Sequence, residues 1–515
     1  MKMKNQLLSL FLIASLLIST CQKLINPIIP GFHPDPSIVR VGNDYYIVNS
    51  SFQYFPGVPI LHSTDLINWE HIGNVLDRKE QLPLRGTNSW TGIYAPTIRY
   101  NEGYFYMITT NIGNGANFLV YTTDPKKGWS DPVKLQQEGI DPSLYFEDGK
   151  TYMVSNPDNV ITLSEIDPKT GEQLTPGMGI WSGTGGRYPE GPHIYKKDGY
   201  YYLLISEGGT EIAHKLTIAR SKDIYGPYEA NPNNPILTNC NMKGQTVSIQ
   251  ATGHGDFVQD SDGSWWVVFL AYRHFGGSYH HLGRETYLAP VEWKEGEWPT
   301  VNGGNAINIE MDAPTTAEKQ KKDKRDSTIK KDSPEWLYIQ NPIEENYAFE
   351  DGKLTITGSK SSLSDNNFPS FLGRRLESPN FSLETEINVE NLSEGLKAGL
   401  TLYQINDGHF DLFVRKDNSN LDISFGFKVK SLEGEKSVNS DISQIKNLKL
   451  KITSNSEKFF FSYSLDGEKY EQIDEQDVFL LSTEVVGGFT GLTMGMFAEG
   501  DGKVEFEYFD YQETE

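Results

Sequence analysis

His33-Pro34-Asp35-Pro36-Ser37-Ile38-Val39-Arg40, a turn at Gly42-Asn43-Asp44, then Tyr45-Tyr46-Ile47-Val48: this stretch recurs along the chain in altered spelling. The unit reads as a small or acidic residue, a proline, an apolar strand, an acidic glycine-containing turn and an aromatic strand. It returns at Ala95-Pro96-Thr97-Ile98-Arg99-Tyr100, turning at Asn101-Glu102-Gly103 into Tyr104–Ile108. It returns at Asp141-Pro142-Ser143-Leu144-Tyr145-Phe146, turning at Glu147-Asp148-Gly149 into Thr151–Val154, and at Gly191-Pro192-His193-Ile194-Tyr195, turning at Asp198-Gly199 into Tyr200–Leu204. A weaker fifth copy runs from Gly255-Asp256-Phe257-Val258 through Asp262-Gly263 into Trp265–Phe269.

Each copy is followed by further strand-like pieces, such as Ile60–Ser63 with Asp65–Trp69, Leu119–Asp124 and Thr217–Asp223. Four strands per unit, with units 46 to 64 residues apart, is the pattern of a β-propeller blade. Five units predict a five-bladed β-propeller over residues 25–310. In a propeller the innermost strand of each blade lines the central channel, so residues opening equivalent strands meet at one mouth. There the sequence gathers Asp35, Ala95, Asp141, the Glu190-Gly191 step and the His254-Gly255 step.

Residues 315–332, rich in Lys, Asp and Thr, read as an exposed connector. Beyond it, alternating segments such as Phe381–Ile387, His409–Val414, Leu448–Ile452 and Phe459–Tyr463 lack the blade repeat. They predict a second, two-sheet β-sandwich domain over 333–515. The fold class expected for all 515 residues is therefore all-β, and two domains suit that length.

A net charge of −23 argues against nucleic acid, whose phosphates want a basic surface. Residues 1–20 read as a targeting segment: Lys2 and Lys4, then an apolar run from Leu7 to Ile18 too short to span a bilayer comfortably. Leu17-Ile18-Ser19-Thr20-Cys21 resembles a bacterial lipoprotein cleavage box, with Cys21 as the lipidated residue; the alternative is an ordinary signal peptide in which Cys21 is incidental. The lipoprotein reading places the protein in a bacterial cell envelope, at the periplasm or outer membrane, touching membrane only through its lipid.

Asp35, Asp141 and Glu190, from three blades, leave three readings open. Acids beside proline cap turns; several carboxylates bind a cation such as Ca²⁺; or they divide acid and base roles around a scissile glycosidic bond. Aromatic residues in the inter-strand connections, Phe52, Tyr54, Phe55, Trp90, Tyr94, Trp181 and Tyr188, favour the third, because rings stack on the apolar faces of sugars.

Four motifs in order, His33-Pro34-Asp35-Pro36-Ser37, Gly92-Ile93-Tyr94-Ala95-Pro96, Ile140-Asp141-Pro142-Ser143 and Glu190-Gly191-Pro192, resemble glycoside hydrolase family 43. Ser333-Pro334-Glu335-Trp336-Leu337, Asn341-Pro342 and Gly488-Phe489-Thr490-Gly491 resemble the concanavalin-like sandwich (jelly roll) of its β-xylosidase branch. The resemblance implies Asp35 as general base, Glu190 as general acid and Asp141 as the acid that tunes and orients Glu190. It implies Arg284 as a contact to the terminal sugar, against the alternative of a surface ion pair with Glu285 or another acid. It implies Phe489 as a ring closing one side of the pocket; Tyr94 stands where relatives commonly carry Trp or Phe, and Phe52 and Tyr94 are expected as substrate contacts from their place among the inter-strand rings. His254 resembles an axial histidine that helps hold a Ca²⁺ or water cluster; a satisfied core histidine is the alternative. The implied activity is inverting, exo-acting release of terminal β-D-xylosyl residues from xylo-oligosaccharides, with no essential cofactor. The alternatives are α-L-arabinofuranosidase action on arabinoxylan-derived chains, and a non-catalytic oligosaccharide-binding lipoprotein.

Overall fold

The computed structural model describes residues 22–240, 249–321, 326–417, 420–441, 445 and 447–514. Cys21 and the targeting segment lie outside the described residues. No described helix is long and apolar enough to cross a membrane.

Five antiparallel sheets follow one another, each with its strands in chain order. Blade I contains Ser37–Val41, Asp44–Val48, Gly57–Ser63 and Glu70–Leu76; blade II contains Thr97–Asn101, Tyr104–Ile112, Asn117–Thr122 and Val133–Lys134. Blade III runs Ile140–Glu147, Lys150–Asn156, Ile161–Ile166 and Met178–Trp181; blade IV runs Glu190–Lys197, Tyr200–Glu207, Lys215–Ser221 and Glu229–Ala230. Blade V comprises Ile249–Gln259, Trp265–Arg273, Glu285–Glu292 and Thr300–Val301.

The apolar second strands explain the stacking. Successive side chains of a strand point to opposite faces, and here both faces are covered. Ile47 packs with blades IV and V while Val48 packs with blade II. Met107 faces blade I and Ile108 faces blade III; Met153 and Val154, then Leu203 and Leu204, divide the same way. The propeller core is thus a circle of inter-blade seams. The circle closes where Lys23–Ile25 pairs with Glu310–Asp312. The Asn26 side chain also behaves like a strand residue, donating to Leu288 O and accepting from Leu288 N, both at 3.0 Å.

The turns joining the first two strands bear out the acidic-glycine reading. Glu102-Gly103, Asp148-Gly149 and Asp198-Gly199 each have two consecutive positive φ values, as tight hairpins need. Asp65–Trp69 is not the expected strand. Ser63 Oγ accepts from Asp65 N (3.1 Å), and the Asp65 carboxylate accepts from Ile67 N and Asn68 N, so the chain folds into a polar turn. Thr122 with Asp124 and Ser221 with Asp223 repeat the hydroxyl-to-amide bond, which ends the third strand in blades II and IV.

The C-terminal sheets have eight and six strands. Asn380–Asn388 alternates buried and half-buried positions along its whole length, and the two sheets enclose one large apolar core. Residues 315–332 have largely exposed side chains among those described, yet the backbone is tied down. Glu318 N donates to Asp65, Lys321 N to Asn68, and Ile329 is buried in the sandwich core.

Sandwich and propeller meet over an aromatic-rich seam of Phe32, Phe52 and Tyr54 against Leu337, Phe371 and Tyr403. Tyr338–Ile339 pairs with Tyr54–Phe55, and the Gln340 side chain donates to Thr87 O at 2.7 Å. Gly283 and Gly491 lie back to back: a Cβ on Gly283 would be 2.7 Å from the Gly491 Cα. A second latch pairs His280 with Glu484, Nδ1 to Oε1 at 2.6 Å, beneath the stacked ring of Tyr272.

Candidate active site

The innermost strands open on irregular backbone. In blade III the register jumps between Ile140 and Ser143, in blade IV between Glu190 and His193, and in blade V between Gly253 and Asp256. Two residues therefore oppose one on the neighbouring strand, a bulge of the kind that re-aims a side chain. Proline at the second position of the bulge in blades III and IV makes it natural, since it has no N–H to donate to the ladder. Asp35, Asp141, Gly191 and His254 take equivalent places at the irregular mouth of their blades, with φ of 52°, 52°, 57° and 46°. Left-handed backbone at three non-glycine residues is strain, and such strain gathers at functional sites.

Asp35 is buried. Ser50 Oγ donates to its Oδ2 at 2.5 Å, Arg284 Nη1 donates to its Oδ1 at 3.0 Å, and His254 Nδ1 lies 3.8 Å from that oxygen. Burial pushes the carboxyl up, but Arg284, then His254 and Ser50, outweigh it and hold Asp35 below the usual carboxylate value. Asp141 is pushed the other way, well above that value, by burial, then by Glu190 and Asp35; Gly191 N donates to its Oδ2 at 3.3 Å. Asp35 and Glu190 both bear on Asp141, and the environments are opposed: the Asp35 carboxyl is pulled down and the Asp141 carboxyl pushed up.

Arg284 is buried and not a surface residue. Glu285, the alternative partner, is taken by Arg273 through two 2.7 Å bonds. Arg284 also donates to Phe489 O at 3.2 Å and sits 5.6 Å from the Phe52 and Phe489 ring centres. Phe489 comes from the sandwich, and its N donates to Ser89 O at 2.9 Å. Its ring lies 5.7 Å from Phe52, 6.0 Å from Tyr94 and 4.9 Å from Trp90, so the second domain forms one wall beside the funnel. The Tyr94 hydroxyl donates to Trp90 O at 2.6 Å; burial, then the charge of Asp141, pushes it up to about 12, keeping it a neutral donor.

Trp90 and Tyr188 are exposed, as a sugar platform requires. Tyr54, Phe55 and Trp181 are not platforms: the first two pair with the sandwich strand, and Trp181 packs in the seam of blades III and IV. His33 is a satisfied buried histidine, Nδ1 donating to Pro30 O at 2.9 Å, held neutral by burial and then by Arg375.

His254 packs against Gly191, where a Cβ would meet its ring at 3.0 Å. Ca²⁺ takes six to eight oxygen ligands. The carboxylates whose charges bear on His254 are Asp35, which is paired with Arg284, and Glu190. One level deeper, Asp256 accepts from Arg99, Ser37 and Tyr195 at 2.6–3.1 Å, tying four blades together. Burial raises this carboxyl, but Arg99 and then His193 bring it down to about 2.

Sequence reasoning missed Ser50, Thr210, Glu207 and His214. Thr210 Oγ1 is 3.4 Å from Arg284 Nη1. Fully buried Glu207 accepts from Thr184 N and Oγ1, Gly186 N and Thr217 Oγ1, and so anchors the loop leading to Glu190. None carries a local motif; only the paired glycines Gly208-Gly209 hinted at close backbone approach nearby.

Residues 24–299 match Glycosyl hydrolases family 43, and residues 329–512 match the beta xylosidase C-terminal concanavalin A-like domain. The chain is 38% identical over 517 residues to a non-reducing end alpha-L-arabinofuranosidase of Bacteroides ovatus, covering 96% of each. It is 39% identical over 524 residues to a xylosidase/arabinosidase of Butyrivibrio fibrisolvens, covering 94% of this chain and 98% of that one. The solved structure titled Bacteroides ovatus Xyloglucan PUL GH43B superposes with a TM-score of 0.90 at 37% identity, covering 96% of this chain and all of that one. With a five-bladed propeller, a concanavalin-like sandwich and these matches over nearly its whole length, the chain belongs to glycoside hydrolase family 43.

Proposed function

We propose that this glycoside hydrolase removes single terminal pentosyl residues by inversion, with β-D-xylosyl ends of xylo-oligosaccharides as the first substrate class. The observation that carries the reading is the opposed tuning of Asp35 and Asp141 in one buried funnel, with Phe489 closing its side. In this mechanism Asp35 is the general base: held ionised by Arg284, it takes a proton from a water that attacks the anomeric carbon. Glu190 delivers a proton to the leaving oxygen. The Glu190 charge is, after burial, the main reason the Asp141 carboxyl is pushed up. Such acid–base assistance contributes roughly 10²–10⁴-fold for each group, and inversion calls for roughly 6.5–9.5 Å between the base and acid carboxyls. The exo mode is part of the proposal: Phe489, packed on buried Phe52 and half-buried Tyr94, would close one side of the site against a passing polymer.

The Bacteroides ovatus relative's name makes α-L-arabinofuranosides the parallel arm of the assay. Purified protein is tested on nitrophenyl β-xyloside and nitrophenyl α-arabinofuranoside, with the anomer first released read by NMR and Glu190→Ala as control. Activity on neither substrate, retention of configuration, or an unaffected control defeats the proposal. Lipid anchoring at Cys21 belongs to the same reading and is tested by radiolabelled palmitate incorporation with Cys21→Ser.

A further inference from the structure

We infer that His214 is a positioning residue for the acid, holding one oxygen of the Glu190 carboxyl so that the other serves the leaving group; this rests on the assignment of Glu190 above. His214 is fully buried, at the start of the third strand of blade IV. Its Nδ1 lies 3.1 Å from Ala251 O. A carbonyl only accepts, so Nδ1 carries a hydrogen and the ring orientation is set. The other nitrogen, Nε2, is buried without a hydrogen-bond partner and lies 3.6 Å from Glu190 Oε1. A buried polar atom left unpaired is costly, and this one faces the carboxyl that must act.

The surrounding backbone is shaped to keep it there. Ala251, which supplies the carbonyl, has a φ of 57°, where an alanine is strained. Gly253 has no alternative: a Cβ there would lie 2.4 Å from the His214 ring. Strain at one residue and a bare glycine two residues on both serve one imidazole. A 3.6 Å gap is longer than a hydrogen bond, and catalytic hydrogen bonds in substrate-free enzymes commonly tighten when substrate seats. In the proposed link the imidazole carries a hydrogen on each nitrogen: Nε2–H donates to Glu190 Oε1, while the carboxyl's own proton sits on Oε2 and passes to the departing sugar oxygen.

The test uses leaving groups of different basicity. Dinitrophenolate departs without a proton, whereas an alkyl or sugar alkoxide needs one. His214→Phe keeps a ring against Gly253 and removes both nitrogens; His214→Gln restores an amide able to bond Oε1. In the full-length enzyme His214→Phe is expected to lower kcat/KM roughly 10²-fold on xylobiose, and within about threefold on 2,4-dinitrophenyl xyloside. His214→Gln recovers part of the xylobiose loss. Equal losses on both substrates would mean a structural role only, and no loss on xylobiose would mean no role; either overturns the inference. Glu190→Ala, run beside them, must itself show the leaving-group dependence. If it does not, the acid assignment fails first and the inference about His214 falls with it.

Discussion

Replacing Arg284 by glutamine removes the cation that holds Asp35 ionised, and the consequence can be worked through. The guanidinium nitrogen is 3.0 Å from Asp35 Oδ1, and both groups are buried. At about 4 Å between charge centres and an effective dielectric of about 20, the attraction is on the order of 4 kcal/mol. Desolvation, which already pushes Asp35 up, stays behind in the variant. The acid limb of kcat/KM is therefore expected to move to higher pH. The linkage sign reverses too. With its folded value depressed, wild-type Asp35 adds stability above the unfolded value and loses it as pH falls through the folded one. In Arg284→Gln a raised folded value makes the same carboxyl destabilising as pH rises through the unfolded value. Arg284→Lys keeps the charge but not the planar fork that also reaches Phe489 O, so its acid limb should return most of the way while its plateau stays low. The assay is a pH–rate profile on nitrophenyl xyloside with melting curves at matched pH. An acid limb in Arg284→Gln that coincides with wild type would refute the reasoning.

Asp141→Asn removes a carboxyl whose folded value lies well above its unfolded one, so it should raise the melting temperature at pH 7, leave it unchanged below the ordinary carboxylate value, and move the alkaline limb of kcat/KM to lower pH. Phe489→Ala takes away a ring in contact with Phe52, Tyr94 and Trp90 and should weaken the substrate site, with KM rising about tenfold, a change of ~1.4 kcal/mol; an unchanged KM would remove Phe489 from the pocket wall. Asp256→Asn should cost about 3–5 kcal/mol through the stranded Arg99, seen calorimetrically as a fall on the order of 10 °C, while kcat of the folded enzyme changes little.

The blades were legible because the two strands that open each one are the most regular part of the unit: strand, acidic glycine turn, strand, with apolar runs wherever both faces are covered. The equivalence of Asp35, Asp141 and Gly191 could be read from the proline that follows each. Asp65–Trp69 was misread because Leu66-Ile67 looks like strand, whereas Ser63 and Asp65 side chains compete for the backbone there. Tyr54, Phe55 and Trp181 were placed among sugar platforms because composition cannot tell a ring facing a cleft from one facing a seam. Ser50, Glu207 and His214 were invisible for a different reason: each acts on a residue of another strand or loop, through a contact no local window contains.

The bulges at the mouths of the blades separate two demands that usually conflict. Within the bulges of blades III, IV and V a residue leaves the ladder, so Asp141, Gly191 and His254 turn to the rim while the strands beneath stay paired. Cohesion between blades is delegated to the level below, to Asp256, Arg99 and Tyr195. A scaffold divided in this way can have its chemistry rewritten at the rim one letter at a time, with the foundation left untouched.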